Sequence, residues 1–392
     1  MSRWPIKALG EVLELSRERI QPTEHPDTSF NYVGLENIEG HTGRLVPYEA
    51  TLGAEIKSTK NVFHPGEILY GKLRPYLNKV YLARENGICS TDIYVLRPHQ
   101  RDIHPSFAAN YLRSPSVLST VSSAMAGANL PRINQDALLA IPTPVPPLAE
   151  QERMVKLLDE ADDLRKLHVQ ADRRTADLIP SLFHEMFGDP MRNPGGLPVV
   201  RVEEAGRVQL GRQRAPKYQT GKFTSPYVRV ANVFEDRIDV SDLLSMDFDK
   251  RDFEHYRLEH GDILLNEGQS TELVGRPAMW RNEVPDCCFQ NTLIRFQPDR
   301  TRVLTDFALG IMLTYFRSGE FARISSKTSN VAHLGAARLA KMPFVLPPLP
   351  LQKEFAIQVT EIRELEARQA ASRERLDALF QSMLHRAFRG EL

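Results

Sequence analysis

The stretch Pro146-Pro147-Leu148-Ala149-Glu150-Gln151 recurs as Pro347-Pro348-Leu349-Pro350-Leu351-Gln352, and each copy begins a long helical pattern. The first pattern ends at Phe187-Gly188 and the second at Phe388-Arg389-Gly390. Without a gap, an offset of 201 residues superimposes Pro147 on Pro348, Gln151 on Gln352, Glu160 on Glu361, Leu164 on Leu365, Arg174 on Arg375, Leu178 on Leu379, Ser181 on Ser382, His184 on His385 and Phe187 on Phe388. A constant offset indicates a tandem duplication with an internal pseudo-two-fold, which suits a ligand with two related halves such as duplex DNA.

The segments that precede the two helical patterns are also copies of each other. Short strand patterns at 31–35, 67–70 and 93–96 alternate with turn signals. Gly66-Glu67-Ile68-Leu69 matches Gly261-Asp262-Ile263-Leu264 at an offset of 195, whereas Pro98 matches Pro298 at an offset of 200. The second copy has therefore gained about five residues after its Gly-Asp-Ile-Leu strand, and we expect them in surface loops.

Proline clusters at the end of each globular segment predict helices that begin near Ala149 and Leu351. An apolar seam of coiled-coil spacing follows at Leu157, Ala161, Leu164, His168, Ala171, Thr175, Leu178 and Leu182, and at Ile362, Leu365, Gln369, Ser372, Leu376, Leu379 and Met383. Because neither helix has a local partner and their lengths match, we expect them to pack on each other, in antiparallel orientation. Asn193-Pro194-Gly195-Gly196 is predicted to be a turn-rich link to the second segment.

These patterns predict an α+β protein with two α/β domains separated by two long α-helices that pack as an antiparallel coiled coil. The expected boundaries are a first globular domain at 1–148, a central helix at 149–189, a second globular domain at 190–349 and a C-terminal helix at 350–392. From Gln151 to Phe187 there are 37 residues, which correspond to a rod of about 55 Å.

Composition limits the class of protein. Of 392 residues, 42% are hydrophobic and 26% are charged, as in globular proteins with two or three cores. No apolar stretch reaches the roughly 18 residues that span a bilayer, and no signal-peptide core is present, so we expect a cytoplasmic protein without a membrane partner. Cys89, Cys287 and Cys288 are too few for a disulfide framework or a zinc site. The formal net charge of zero argues against a stand-alone DNA-binding protein.

No catalytic motif is visible in the sequence. The run from Gly66 to Leu73 approaches a phosphate-binding loop, but Leu73 stands where a hydroxyl should contact magnesium, and the run is predicted to be a strand. His184 and His385 lie near helix ends, where capping is the expected role. We therefore expect no catalytic residue, no metal site and no cofactor.

The remaining polar loops have the chemistry of DNA recognition, in which cations contact phosphates and Arg, Asn and Gln contact base edges. In isolation, a solvated hairpin explains the loop at 71–79 equally well. The predicted DNA contacts of the first copy are Lys72, Arg74, Tyr76, Asn78, Lys79, Asn129 and Arg132. Those of the second copy are Arg212, Arg214 and Lys217 in a basic cluster, Asn266, Gln269, Ser270 and Thr271 in the loop equivalent to 71–79, and Lys327, Asn330 and His333 in a later loop. Similar scaffolds with different loops indicate two domains that recognise different sequences.

The chain resembles the specificity subunits of type I restriction-modification systems over essentially its whole length. The resemblance depends on the two Pro-Pro-Leu-x-x-Gln helix starts, the Gly-Glu/Asp-Ile-Leu strands, the Gly-Lys-Leu-Arg-Pro-Tyr run at Gly71 and the ending Ala387-Phe388-Arg389-Gly390-Glu391-Leu392. It implies two target recognition domains separated by two antiparallel helices, and double-stranded DNA with two half-sites and a fixed spacer as the ligand. It also implies two modification (methyltransferase) subunits, which bind S-adenosylmethionine, and motor-nuclease subunits as partners. Residues 267–272 depart from the family pattern.

Two alternatives stay open at this stage. The first is the recognition subunit of a related bipartite-cutting restriction system, which would have the same DNA chemistry and different partners. The second is a structural coiled-coil adaptor that binds proteins only. Co-purification with a methyltransferase would distinguish the adaptor from the other two.

Overall fold

A computed structural model of the chain describes residues 4–123, 131–328 and 331–391. The chain forms two compact units, residues 1–169 with 370–392 and residues 170–369. Each unit contains one globular domain together with a part of each long helix. The architecture is α+β, as expected.

The first globular domain contains two four-stranded sheets. Their strand orders are Leu13–Leu15, Ile93–Pro98, Ile68–Gly71, Val80–Leu82 and Arg19–Ile20, Lys60–Phe63, Gly87–Cys89, Tyr32–Val33. Two-stranded sheets join Ile6–Ala8 to Pro142–Pro144 and Ser29–Phe30 to Thr51–Leu52. The α-helices are Leu9–Val12, Pro105–Arg113, Pro115–Ser123 and Gln135–Leu139, and the 3-10 helices are Pro22–Glu24, Leu35–Asn37, Gly53–Glu55 and Pro75–Leu77.

The second globular domain repeats this plan. Its four-stranded sheet has the order Gly206–Leu210, Leu293–Pro298, Ile263–Asn266, Pro277–Met279. Three-stranded sheets have the orders Leu244–Asp247, Thr224–Val228, Cys288–Phe289 and Gly268–Gln269, Val331–His333, Ser326–Thr328, and pairs join Val199–Arg201 to Pro343–Val345 and Val233–Phe234 to Arg237–Ile238. The α-helices are Val202–Ala205, Lys250–Tyr256, Thr305–Arg317, Glu320–Ile324 and Ala336–Ala340, and the 3-10 helices are Pro216–Tyr218 and Val230–Asn232.

The repeated Gly-Glu/Asp-Ile-Leu motif has a structural role in both domains. In the first, Glu67 accepts the backbone N–H of His64 at 2.8 Å and pairs with Arg97 on the neighbouring strand at 2.6 Å. In the second, Asp262 accepts the N–H of Glu259 at 3.0 Å and pairs with Arg295 at 3.1 Å. The acid closes the turn before its strand and fixes an arginine across the sheet, so the motif is part of the scaffold.

The glutamine of each Pro-Pro-Leu-x-x-Gln motif is fully buried and connects its helix to the preceding globular domain. Gln151 accepts the N–H of His104 at 2.7 Å and donates to the carbonyls of Asp102 at 3.0 Å and Pro146 at 2.8 Å. Gln352 makes the same three bonds, from Leu304 N–H at 2.8 Å and to the carbonyls of Arg302 at 3.0 Å and Pro347 at 2.8 Å. The motif is therefore a hydrogen-bonded joint between domain and helix.

The long helices begin close to the predicted residues. The second runs from Leu349 to Ala387 without interruption, and its 39 residues correspond to about 58 Å. The first is divided into Leu148–Ala176 and Leu178–Phe187 by a turn at Asp177.

Within each unit the two helical parts meet side by side. In the first unit, Arg165 pairs with Asp377 at 2.7 Å, and Met154 shares a core with Leu384 and Phe388 farther along the opposite helix. As the residue number rises in one helix it falls in the other, so the pairing is antiparallel. In the second unit, Phe183 and Phe187 contact Phe355 at ring distances of 5.6 and 5.4 Å.

The predicted apolar seam is wrong in part. Leu164, Leu178, Leu365 and Leu379 are 51%, 42%, 38% and 52% exposed, whereas Met154, Leu158, Phe355, Phe380 and Leu384 are buried. The buried residues pack on the globular domains as well as on the opposite helix: Leu158 and Phe380 share a core with Phe107 and Leu112. The apolar stripe therefore follows the domain surface, which a seam drawn for two isolated helices misses.

The link after the first helix contains the predicted turn, and side-chain hydrogen bonds hold it closed. Asn193 donates to the carbonyl of Leu197 at 2.8 Å and accepts its N–H at 3.0 Å, which closes the turn. Within the described residues, no helix is long and apolar enough to cross a membrane. The three cysteines are free and buried, and burial raises the pKa of each thiol to about 12.

Candidate nucleic-acid interface

In the first domain, the ends of two neighbouring strands meet a third segment at one edge of the sheet. Gly71 and Ile93 are opposite each other in an antiparallel pair. Immediately beyond them, the N–H of Lys72 donates to the carbonyl of Asp92 at 3.0 Å, and the carbonyl of Lys72 accepts the N–H of Ile133 at 3.1 Å. The loop at 71–79 and the segment that begins at 131, which the sequence suggests as separate contact loops, are thus hydrogen-bonded neighbours.

Arg74 lies at the centre of this edge. Its N–H donates to the carbonyl of Pro131 at 2.8 Å, and the preceding Leu73 bridges to Arg132. Its backbone is left-handed, with φ of 48°, as it enters the 3-10 helix Pro75–Leu77. A non-glycine residue in this region costs about 1–3 kcal/mol and persists only where the surroundings enforce it. The Arg74 side chain is exposed and has no partner among the described residues.

The other predicted residues of the first domain divide into two groups. Tyr76 is 44% exposed, and the Arg132 side chain is 56% exposed. Lys72 is half-buried over the Tyr94 ring, and both Lys72 and Arg132 face Asp92, at 3.9 and 3.7 Å. These residues form a cationic surface with one central carboxylate.

Asn78 and Lys79 support this loop instead of extending from it. Asn78 is buried, has a left-handed backbone and donates its side-chain amide to the carbonyl of Arg113 at 2.9 Å. Lys79 donates to the carbonyl of Leu35 at 2.6 Å. Their amide and ammonium groups are occupied, so we expect them to hold the loop in place. Asn129 lies outside the described residues.

The second domain joins its corresponding loops through a β-ladder. Gly268–Gln269 pairs with Val331–His333, which pairs in turn with Ser326–Thr328. The N–H of Glu267 donates to the carbonyl of Thr292 at 2.9 Å, and its carbonyl accepts the N–H of Leu334 at 2.8 Å. The same three segments therefore meet at the same edge as in the first domain.

The predicted residues of this ladder differ in exposure. Lys327 is exposed, while Gln269, Ser270, Thr271 and His333 are half-buried. His333 contacts the Glu267 carboxylate at 3.1 Å. Asn266 is fully buried, and its side-chain amide has no partner among the described residues. Asn266 therefore does not reach the surface, and Asn330 lies outside the described residues.

The predicted basic cluster of the second domain is organised around a buried arginine. Arg212 is 6% exposed; its guanidinium stacks on Tyr218 at 3.8 Å and forms an ion pair with Asp252. We therefore expect Arg212 to support this loop and not to contact a ligand. Arg214 and Lys217, which follow it in the loop, are exposed.

The edge also contains residues that the sequence does not single out. Asp92 and Thr292 occupy equivalent places next to the contact loops in the two domains. Arg17 and Arg19 are both exposed, and the 195-residue offset makes them the first-domain equivalents of Arg212 and Arg214. The offset alone could therefore have identified Arg17 and Arg19 from the sequence. The position of Asp92 depends on strand pairing between distant segments, which no local pattern shows.

Within the described residues, no group of three or more His, Cys, Asp or Glu side chains could hold a metal ion. This edge has cationic, amide and hydroxyl groups around the strand ends, and the two domains differ in which of these groups they contain. Such groups bind phosphates and the edges of bases.

Comparison with known proteins agrees with this chemistry. Residues 1–172 match the type I restriction modification DNA specificity domain. The EcoDI type I restriction enzyme specificity subunit of Escherichia coli is 30% identical over 190 residues, which are 47% of this chain and 42% of the relative. The StySPI specificity subunit of Salmonella potsdam is 24% identical over 330 residues, 76% of this chain and 67% of the relative. The match thus spans less than half the length of the EcoDI protein.

Solved structures share the fold. A chain from a study of complex assembly and conformational transition of the type I restriction-modification system aligns with a TM-score of 0.67 at 22% identity, and the alignment covers 99% of this chain and 98% of that one. The type I restriction-modification S subunit of M. genitalium aligns with a TM-score of 0.52 at 14% identity, with coverage of 99% and 96%.

Proposed function

Because this chain belongs, through its residues 1–172, to the type I restriction modification DNA specificity family, we propose that it is the DNA recognition subunit of such a system. Each globular domain binds one half-site of a bipartite duplex target, and the long helices set the spacer between the half-sites. The chain performs no catalysis itself: it directs two modification subunits and the motor-nuclease subunits to the target in the cytoplasm.

The observation that supports DNA recognition best is the equivalent edge of the two domains. Both place a loop after the Gly-Glu/Asp-Ile-Leu strand, and this loop is hydrogen-bonded both to a later segment and to Asp92 or Thr292. The loops differ in length as well as in chemistry. Ile68 pairs with Leu82 in the first domain and Ile263 with Met279 in the second, so the second loop is longer by two residues. A shared scaffold with different loops favours two half-sites of different sequence.

The exposed surface of the long helices supports protein partners. Leu164 and Leu167 in the first unit are 51% and 59% exposed, and Ile357 in the second is 62% exposed. Contiguous exposed apolar side chains are typical of interaction sites, and Leu164 and Leu167 lie one helical turn apart. If partner subunits also contact the DNA phosphates, this chain does not need to provide all of the positive charge for binding. That would explain why it has no net positive charge.

The test of DNA recognition is Arg74→Ala, with methylation mapped in a host that contains the modification subunit. If Arg74 makes a bidentate contact with guanine, its loss costs about 1–3 kcal/mol at one half-site and relaxes one base position there. The other half-site should keep its sequence. The matched control is Arg101→Ala, since Arg101 is exposed just beyond the opposite end of strand Ile93–Pro98.

Three outcomes distinguish the alternatives. Weakening that is uniform over all sequences would make Arg74 a phosphate contact. A methylation pattern identical to the wild-type pattern would remove Arg74 from the interface. If the chain neither co-purifies with a methyltransferase nor changes DNA methylation, the adaptor function takes precedence over DNA recognition.

A further inference from the structure

The two long helices carry opposite charges at equivalent positions where each faces its globular domain. At the 201-residue offset, Asp162 of the first helix corresponds to Arg363 of the second, and Arg165 corresponds to Glu366. The acid-to-base order over one helical turn is therefore inverted between the copies. Only nine of the 40 matched positions from Leu148 to Phe187 keep the same residue, and charge is reversed at others as well, for example at Glu185 and Arg386. Asp162 and Arg363 are distinguished by their contacts, because each forms an ion pair with its own globular domain.

In the first unit, the acidic member of the helix pair binds a cation from the globular domain. Arg44 lies in the turn that follows the 3-10 helix Leu35–Asn37, and its guanidinium meets the Asp162 carboxylate at 2.9 Å. Arg165 contacts the same carboxylate at 3.2 Å. Burial raises the pKa of Asp162, but Arg44 and Lys166 outweigh burial and leave this pKa below its usual value. Asp162 is thus held in its charged form.

In the second unit, the signs are reversed at the same place. Asp236 lies in the turn that follows the 3-10 helix Val230–Asn232, and its carboxylate forms ion pairs with Arg363 of the helix and with Arg281, the latter at 2.9 Å. Glu366 lies 3.6 Å from Arg363 on the helix. The domain contributes an anion here, where the first domain contributes a cation.

We propose that these two networks form a charge key, by which we mean two complementary charge arrangements with opposite signs. Each arrangement favours docking of a globular domain on its own long helix and disfavours docking on the equivalent helix position of the other copy. After the duplication, the joints made by Gln151 and Gln352 stayed identical and so cannot distinguish the domains. An exchanged pairing would place Arg44 against an arginine, or Asp236 against an aspartate. An ion pair that is partly open to water adds little stability, so the correct pair alone discriminates weakly between partners. Repulsion between like charges in the wrong pairing adds to the difference and supplies most of the discrimination.

The geometry identifies Arg44, Asp162, Asp236 and Arg363 as positioning residues. Arg44 and Asp162 side chains are 32% and 21% exposed, and those of Asp236 and Arg363 are 22% and 29% exposed. These charges are therefore partly shielded from water, and salt screens them less than it screens surface pairs. The inference concerns docking within each unit and does not depend on DNA binding.

The experiment introduces into the full chain the residue that the second copy has at this position, Asp162→Arg. A cavity of about 550 Å³ borders Arg44 and Asp162, so the longer side chain has space. We expect hydrogen exchange of the segment 38–45 to rise about tenfold, as loosened docking predicts. The double variant Arg44→Asp with Asp162→Arg should return exchange to within about threefold of wild type, because it restores an opposite pair.

Two further variants separate repulsion from a general effect of substitution. Glu160→Arg makes the same charge change on the exposed side of the same helix and should leave exchange unaltered. The neutral pair Arg44→Gln with Asp162→Asn should lie close to wild type, since it removes attraction without adding repulsion. If Asp162→Arg does not fold, recovery of folding in the double variant supports the key. The key is refuted if the double variant is no better than Asp162→Arg, or if Asp162→Arg behaves as Glu160→Arg does.

Discussion

Arg212 donates a hydrogen bond to the backbone carbonyl of Asp247, and the Asp247 carboxylate organises the basic loop that follows Arg212. That carboxylate accepts the N–H groups of Thr220 at 2.6 Å and Gly221 at 3.0 Å. A buried arginine and an aspartate thus fix a loop whose exposed cations, Arg214 and Lys217, belong to the proposed DNA interface. The pair makes this loop sensitive to acid.

We expect the contribution of Asp247 to stability to disappear in acid. Hydrogen bonds, first that of the Thr220 hydroxyl, lower the pKa of Asp247 from 3.8 to about 2. A lowered pKa means that the folded state binds the proton less tightly than the unfolded chain does, so the contribution is present above about pH 4 and lost as the pH falls towards 2. Asp247→Asn should therefore be less stable than wild type at pH 6, with a difference that shrinks between pH 4 and pH 2 in urea unfolding.

The matched control for this titration is Glu254→Gln, an exposed carboxylate of the same domain. At each pH its difference from wild type should be smaller than that of Asp247→Asn at pH 6. A difference for Asp247→Asn that does not change between pH 6 and pH 2 would show that the hydrogen bonds of Asp247 do not depend on its charge.

Removal of the joint glutamine should destabilise each unit to a similar degree. Gln151→Ala leaves the His104 N–H and two carbonyls unpaired in a buried place, and such groups cost about 1–3 kcal/mol. Gln352→Ala should lose a similar amount, because its three bonds are equivalent. Urea midpoints give both values, with the exposed Gln170→Ala as the control. A large loss in one copy and none in the other would contradict equal joints.

Within the second unit, the helix Thr305–Arg317 packs closely on the first long helix, and this contact requires a glycine at position 310. A Cβ at this position would lie 2.5 Å from a ring carbon of Phe183. Alanine favours helix by about 1 kcal/mol over glycine, but overpacking costs about 1–3 kcal/mol. We expect Gly310→Ala to lower the thermal midpoint and Phe183→Leu to recover part of the loss in the double variant. An increase in the midpoint would show that the helices separate without cost.

A four-residue insertion near Ala171 tests the proposed spacing role of the helices. It adds about 6 Å and slightly more than one turn, so the apolar face stays roughly aligned. Methylation mapping should then show half-sites of unchanged sequence with a spacer longer by one or two base pairs, at about 3.4 Å each. The control is the same insertion after Lys57, in an exposed loop of the first domain. An unchanged spacer in an active protein would assign the distance to the partner subunits.

The duplication and its joints could be predicted from the sequence because both copies keep the same residues at a fixed offset. Gln151 and Gln352 stood out by position alone, although their hydrogen bonds did not. The helical seam was predicted less well, because Leu158 and Phe380 pack on a globular domain whose surface the helical periodicity does not describe.

The proposed interface shows a similar limit. Arg74 was identified from a polar loop after a strand, and the structure shows it exposed there. Arg212 belongs to the same basic run as Arg214, yet it is buried because Tyr218 and Asp252 enclose it. Those contacts arise from folding of the loop on itself, and a count of charges contains no information about them.

The joints at Gln151 and Gln352 also bear on how such a protein evolves. Both glutamines bind only backbone groups of the domain, the carbonyls of Asp102 and Arg302 among them. A foreign domain of the same fold would present the same carbonyls whatever its own side chains are. Genetic recombination with breakpoints in the Pro-Pro-Leu-x-x-Gln segment would therefore deliver a domain that forms the joint, and it would be correctly seated where its charge opposes that of the retained helix at Asp162 or Arg363. Under the proposed function, a lineage could then acquire a new target sequence in a single event.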